Sequence, residues 1–480
     1  MRMRDDVRPL TLAPEEVDDA EQRLVRAHAL EASSHAGGAP AQPVPHGAPE
    51  GARQPVHTVY GGAHLFRAES AQKLGQLALR TLAEYVPSPA DLAALAAPLG
   101  RRSSEADGTL DEARAERLYK RIEAKLTTEP VEDQRIDFED GYGHRSDEEE
   151  DTHAASAARE VARGMRDGLL APSLGIRIKP LVPAHARRAL RTLDIFLGTL
   201  APEAFGVPQG FCVTLPKTER PAEVEVLART LSALEVRLGL APHAVRIEIM
   251  VESPRALFTE DGRLALRPLI EAGDGRVRAV HFGTYDYTAS LGITAGYQTM
   301  SHPACAFARE IMQVATYGMP VFLADGATNV LPLPIHRARS GQTQTLGDAE
   351  RDENRAAVLR AMRLHFDNVR ASLARGFYQG WDLHPAQLPM RYAAVYSFFD
   401  EQEAAAVSRL ANFVDKAAQA TRVGTTFDDA ATGQGLLNFF LRAIACGAMG
   451  EEEAARATSL TVEELRGRSF ARIAARRRTP

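Results

Sequence analysis

The stretches R-I-E-I-M-V-E-S at residues 246–253 and V-H-F-G-T-Y-D-Y at residues 280–287 each run a short β-branched apolar segment into one acidic residue, Glu252 and Asp286. A carboxylate just beyond a strand is where a (β/α)8 barrel places its chemistry, because the active site of that fold lies at the C-terminal ends of its strands. Two carboxylates so placed suit a divalent ion of the Mg2+ type, which takes oxygen ligands and is held by one or two protein carboxylates while substrate and water fill the rest. Glu252 and Asp286 are therefore the candidate metal ligands, and the ion would hold a substrate oxygen.

On either side of these two stretches, β-type runs alternate with helical patterns, the signature of βα units and a parallel sheet. Eight runs are predicted, at 56–60, 134–138, 175–178, 211–215, 245–251, 277–282, 320–324 and, more weakly, 380–383. Helical stretches such as 71–85, 153–170, 184–200, 222–239 and 354–375 lie between them. The predicted fold is an α/β (β/α)8 TIM barrel. Charged residues stand at the ends of seven of the runs: Glu139-Asp140-Gly141, Lys179 with Arg177 inside the third run, Lys217-Thr218-Glu219, Glu252, Asp286, Asp325-Gly326 and His384-Pro385. Any loop is polar, so the weight lies in the coincidence across seven strands.

A chain of 480 residues exceeds one barrel, for which about 250 is typical. The extra length divides into an N-terminal helix and flexible linker over 1–55, a helical insert at about 89–130 within the barrel domain 56–390, and a C-terminal helical annex over 391–480. The linker reading rests on 32–55, rich in Ala, Gly, Pro, Ser and His with almost no large apolar residue. In the annex, Thr461-Val462-Glu463-Glu464 has the form of a capping box, and Leu436, Leu437, Phe439, Phe440 and Ile444 form an apolar stripe.

Composition narrows the function classes. The formal charge is −6 with both signs interspersed, which gives no nucleic-acid or membrane footprint. Three widely separated cysteines, Cys212, Cys305 and Cys446, have neither zinc nor redox spacing and read as buried fillers in a reducing compartment. No run reaches the ~18 uninterrupted apolar residues of a membrane span, and the expected location is cytoplasmic. Motifs for a phosphate loop, a dinucleotide fold, a zinc protease or a serine hydrolase elbow are absent from the sequence. The acidic run 147–151 reads as solvated surface, His281 as a satisfied core histidine and Trp381 as a packing residue.

Six short motifs in order carry a resemblance. They are Phe138-Glu139-Asp140, Arg177-Ile178-Lys179-Pro180, Leu215-Pro216-Lys217-Thr218-Glu219, Val251-Glu252, Phe282-Gly283-Thr284-Tyr285-Asp286 and Gly376-Phe377 through Gly380 to Leu383-His384-Pro385-Ala386-Gln387. Over residues 56–390 the chain resembles the citrate lyase β-subunit and malyl-CoA lyase family of metal-dependent TIM-barrel aldolases and lyases. The resemblance implies Glu252 and Asp286 as Mg2+ ligands, with Mn2+ as a substitute, and Arg177 as the arginine on the substrate's carboxylate and carbonyl oxygens. It implies Glu139 and Asp140 near the metal, Lys217 and Glu219 as the pair at the fourth strand, and Gly283, Thr284 and Tyr285 beside the substrate. His384 matches a histidine for which a structural role is equally expected.

The chemistry stands without the label. Making or breaking a carbon–carbon bond beside a carbonyl passes through an enolate, whose oxygen needs preorganised positive partners. A metal and an arginine fork supply them. The expected activity is a Mg2+-dependent lyase or aldolase acting on a 2-oxo acid, a hydroxy acid or a hydroxyacyl-CoA, in a homo-oligomer. A thioester hydrolase, a phosphoenolpyruvate-using enzyme and a non-catalytic binder stay open, since fold alone does not fix function.

Each residue also has a plainer reading. Glu252, before Ser253-Pro254, could begin a helix with its charge at the favourable end, Asp286 could cap the turn after it, Lys217 and Glu219 could form an ordinary ion pair, and Arg177 could pair with Glu139 or Asp140 instead of a substrate. The chain departs from the family where Tyr60 runs into Gly61-Gly62-Ala63, in the insert, and around 331–348. Asp428 or Asp429 stands near where the family has an aspartate that reaches a neighbouring subunit's site. The regions that seat a CoA thioester in the family match worst, so its use by this chain stays open.

Overall fold

The computed structural model describes residues 11–30, 53–97, 111–337, 346–415, 421–423, 426–428, 430–467 and 473. Its centre is a closed barrel of eight parallel strands in sequential order. The strands are β1 (His57–Gly62), β2 (Asp133–Asp137), β3 (Ser173–Arg177), β4 (Cys212–Leu215), β5 (Arg246–Val251), β6 (Val277–Phe282), β7 (Phe322–Ala327) and β8 (Gln379–Asp382). Closure comes from β1 pairing with β8, His57 opposite Gly380 and Val59 opposite Asp382.

Side chains on a strand alternate between faces, and here the alternation separates chemistry. Ile136, Ile176, Val213, Leu215, Ile247, Ile249, Val251, Val280 and Phe282 join one buried cluster with the surrounding helices. The opposite parity fills the barrel with polar groups, where bulky aliphatic layers are usual. Thr58 donates to Asp133 (2.8 Å), the fully buried Arg135 binds Glu248 through Nε (2.9 Å), and Gln379 donates to Thr58 (2.9 Å).

Two expectations need correction. Asp325-Gly326 does not follow β7 but lies within it, at an irregularity between Ala324 and Ala327. Asp325 faces outward, where it accepts from Arg309 (3.1 Å) and Ser372 (2.5 Å) under the helices. The acidic run 147–151 is not all solvated: Ser146 caps helix Asp147–Asp167, and the first turn buries Glu150 and Asp151. Glu150 meets Lys179 (2.5 Å), and Asp151 meets Arg188 (2.6 Å) and Arg191 (2.5 Å).

The additions pack on the barrel. Helix Pro14–Leu30 buries Leu24 completely, and the amides of Thr11 and Leu12 just before it donate to Asp194 (2.8 and 2.7 Å). Most of the expected linker, 31–52, lies outside the described residues. The insert forms helices Pro89–Ala96 and Glu112–Thr128. Helices Leu388–Asp415 and Ala430–Cys446 share one apolar cluster with them, which Leu410, Leu437 and Phe440 join together with Leu118 and Ile122. The Thr461 capping box forms, with reciprocal bonds to Glu464 of 3.0 and 2.8 Å. Cys212, Cys305 and Cys446 are buried free thiols. Among the described residues no helix is long and apolar enough to cross a membrane.

Candidate active site

The inward face of β2 reads Asp133, Arg135, Asp137 and, one step past the strand, Glu139. Arg177 ends β3 beside it, its register partner being Asp137. The Arg177 guanidinium donates through Nε (2.7 Å) and Nη2 to the two oxygens of Asp137, so one edge is held in a fork. Nη1 points the other way, 3.2 Å from Glu139 and 3.8 Å from Asp140. The Tyr60 ring lies against the plane at 4.8 Å. Arg177 is 4% exposed, and these anions hold its charge firmly against the burial that opposes it.

Lys217 follows β4 in a left-handed conformation, φ 50°. That turn does two things. It aims the Lys217 amide at Glu252, whose carboxylate accepts it at 2.7 Å, and it sends the ammonium back across the mouth to Glu139 and, at 3.2 Å, Asp140. Glu219, two residues on, accepts from Ser253 (2.7 Å). The ion pairs of Lys217 thus run to the β2 acids and not along its own loop.

Glu252 stands directly after β5 and is 4% exposed. It packs against the backbone of Gly283 so closely that a Cβ there would fall 2.4 Å from its Cγ. Burial and then the Asp286 charge push its carboxyl up to about 8, against the pull of Arg177. Burial likewise raises Glu139, while Asp140 stays below its usual range, burial being outweighed by its bond to Glu139 and the charges of Arg177 and Lys217. The site therefore gathers Glu139, Asp140, Arg177, Lys217, Glu252 and Asp286 from the ends of several neighbouring strands.

Of the other expected residues, Thr284 is buried with its hydroxyl against Gly326, where a Cβ would lie 2.0 Å away. Tyr285 donates to Ala327 O (2.6 Å) and accepts from Asn329 N (2.9 Å). His384 caps the turn Pro385–Gln387 through Nδ1, 3.1 Å from the Ala386 amide. His281 Nδ1 accepts from the Trp381 indole (3.1 Å), as a core histidine does. The Asp428 backbone pairs with Thr421 in a short hairpin, while its side chain and Asp429 lie outside the described residues. Among the described residues no group of three or more His, Cys, Asp or Glu is arranged to hold a metal ion, so the candidate donors remain the pair Glu252 and Asp286.

Sequence reasoning missed Asp137 and Tyr60. Both sit inside strands, not beyond them, and the available signal was the every-second-residue spacing of Asp133, Arg135, Asp137 and Glu139.

Fold and site together define a (β/α)8 barrel with a polar interior and a mouth of mixed charge. Residues 44–473 match the family described as a domain of unknown function (DUF6986), and the chain belongs to that family. A search of curated proteins finds no match. Among solved structures it is similar to a citrate lyase from Burkholderia xenovorans LB400, at 20% identity and TM-score 0.50 over 71% of this chain and 92% of that one. It is also similar to a Haloferax volcanii malate synthase, at 12% identity and TM-score 0.44 over 87% and 98%. The first of these shares the barrel architecture.

Proposed function

We propose that this chain is a Mg2+-dependent carbon–carbon lyase or aldolase working through an enolate on a 2-oxo acid, a hydroxy acid or a hydroxyacyl-CoA. The observation that carries the reading is the convergence of a forked, fixed Arg177 with the buried carboxylate of Glu252 and its neighbour Asp286 at the strand ends. The donor set fits a hard dication. Glu252 is buried beside a second carboxylate that raises it, and it takes a hydrogen bond from a backbone amide, so positive charge placed there relieves a cost that the fold otherwise bears. Mg2+ bound by such a pair supplies Lewis acidity toward the carbonyl oxygen.

The chain's own residues do the rest. Asp137 occupies the Nε edge of Arg177, and the Nη1 side, shared with Glu139 at 3.2 Å, is the one that would meet the developing enolate oxygen or the substrate carboxylate. Lys217 and Arg177 hold Glu139 and Asp140 in place, where they orient water near the ligands. The Lys217 amide fixes the rotamer of Glu252.

Calorimetric titration of Mg2+ and Mn2+ with pyruvate, oxaloacetate, glyoxylate and acetyl-CoA, on wild type and on Glu252→Ala with Asp286→Ala, tests the reading. A 2-oxo acid that binds only with metal and only to wild type supports it. Equal binding by the double variant, or none by wild type, refutes the metal site and the mechanism with it.

A further inference from the structure

The charged residues occupy one side of the barrel mouth, on β2 to β6. Against them lies an apolar group drawn from β1, β5, β7, β8 and the turn after β6. Met250, Ala327 and Trp381 form a small apolar cluster with Tyr60 and Tyr285 packed on it, separate from the two large cores that lie outside the barrel. Trp381 stacks on Tyr60 with centroids 4.5 Å apart and planes at 32°.

The polar atoms of these rings are turned away from the opening. The Trp381 indole donates to His281 (3.1 Å), and the Tyr60 hydroxyl is sealed from solvent. The Tyr285 hydroxyl is taken by β7 and the residues just after it, donating to Ala327 O and accepting from Asn329 N. Gln387 accepts from the Leu383 amide and donates to Thr328 O, both at 2.8 Å, which brings the ends of β7 and β8 together. Val330 and Leu383 beside these bonds are 47% and 41% exposed. Tyr60 belongs to both halves, since its ring carries Arg177 on one side and meets Trp381 on the other.

We infer that the substrate carries an apolar side chain next to its 2-oxo acid group, seated on the Tyr60–Trp381–Tyr285 wall while the carboxylate and keto oxygens face Arg177. The inference rests on the proposed function and narrows it. An unsubstituted or purely polar oxo acid would leave this wall wet, whereas a branched alkyl or aryl group would cover it.

Trp381 is the chain's one tryptophan, so its fluorescence reports on the wall directly. The experiment titrates full-length protein in saturating Mg2+ with pyruvate, with 4-methyl-2-oxopentanoate and with acetyl-CoA in turn, followed by calorimetry and by tryptophan emission. The expected result is at least about tenfold tighter binding of 4-methyl-2-oxopentanoate, with a saturable emission change that pyruvate does not match. Equal affinities within about twofold would overturn the inference while leaving the metal reading standing. An emission change produced by acetyl-CoA but by neither oxo acid would overturn it too, assigning the wall to a thioester arm. Failure of both oxo acids to bind with metal would sink the functional reading and this inference together.

Discussion

Asp137 holds Arg177 by one edge, with Nε 2.7 Å from one carboxylate oxygen and Nη2 bonded to the other, and both side chains are buried. An arginine inside a barrel needs an anion, because a buried charge without a partner costs several kcal/mol. Glu139 at 3.2 Å supplies part of that neutralisation but not the fork. Asp137→Ala should therefore destabilise the chain by about 3 kcal/mol or more in urea unfolding. Asp137→Leu combined with Arg177→Met should recover most of that loss. A loss below about 1 kcal/mol for the single variant would show that Glu139 alone suffices.

Strand identity was legible because apolar β-branched runs are local signals. The run expected at 277–282 is β6 as found, and 245–251 differs from β5 by one residue. The run at 320–324 fell short because β7 stays in the sheet as far as Ala327, past an irregularity and a glycine. The prominence of Glu252 and Asp286 came from their standing beyond strands. Asp137 and Tyr60 stand within them, and which face of a strand looks inward is settled only when the barrel closes. The left-handed turn at Lys217 gave no sequence sign, since lysine seldom adopts that conformation.

That turn is open to a direct comparison. A residue with a Cβ at φ 50° carries a steric cost that glycine avoids. Lys217→Gly and Lys217→Ala both remove the ammonium from Glu139 and Asp140, so any difference between them reports on the backbone. The glycine variant should be the more stable by about 1 kcal/mol in thermal or urea unfolding. An alanine variant as stable as the glycine one would mean that the loop relaxes once the lysine is gone.

Gly283 gives the most economical test of how Glu252 is placed. Its missing side chain is what lets the carboxylate lie against the end of β6, since an added Cβ would sit 2.4 Å from Glu252 Cγ and 2.9 Å from Oε1. Gly283→Ala should push Glu252 off its seat at a stability cost of about 1–3 kcal/mol. If Glu252 holds an ion, Mg2+ affinity should fall by about tenfold or more with unchanged far-ultraviolet circular dichroism. Retained affinity in a folded Gly283→Ala protein would remove Glu252 from the ligand set.

Glu223 should make stability fall as pH rises, although Arg220 lies 3.7 Å from its carboxylate. It is 2% exposed at the start of helix Pro221–Leu238, where one of its oxygens accepts the amides of both Glu219 (2.9 Å) and Arg220 (3.2 Å). Burial outweighs those bonds and pushes its carboxyl up from 4.5 to about 7. An acid raised in the folded state binds more protons there than when unfolded. Its favourable contribution is thus whole at low pH, is lost as pH rises from about 4.5 to about 7, and is flat above that. The shift corresponds to about 3 kcal/mol. Glu223→Gln keeps one oxygen for both amides and cannot ionise, so wild type and variant should match near pH 4.5 and diverge until the variant is the more stable by about 3 kcal/mol at pH 8. Urea unfolding across that range measures the gap, and parallel curves would show that Glu223 does not titrate as its burial demands.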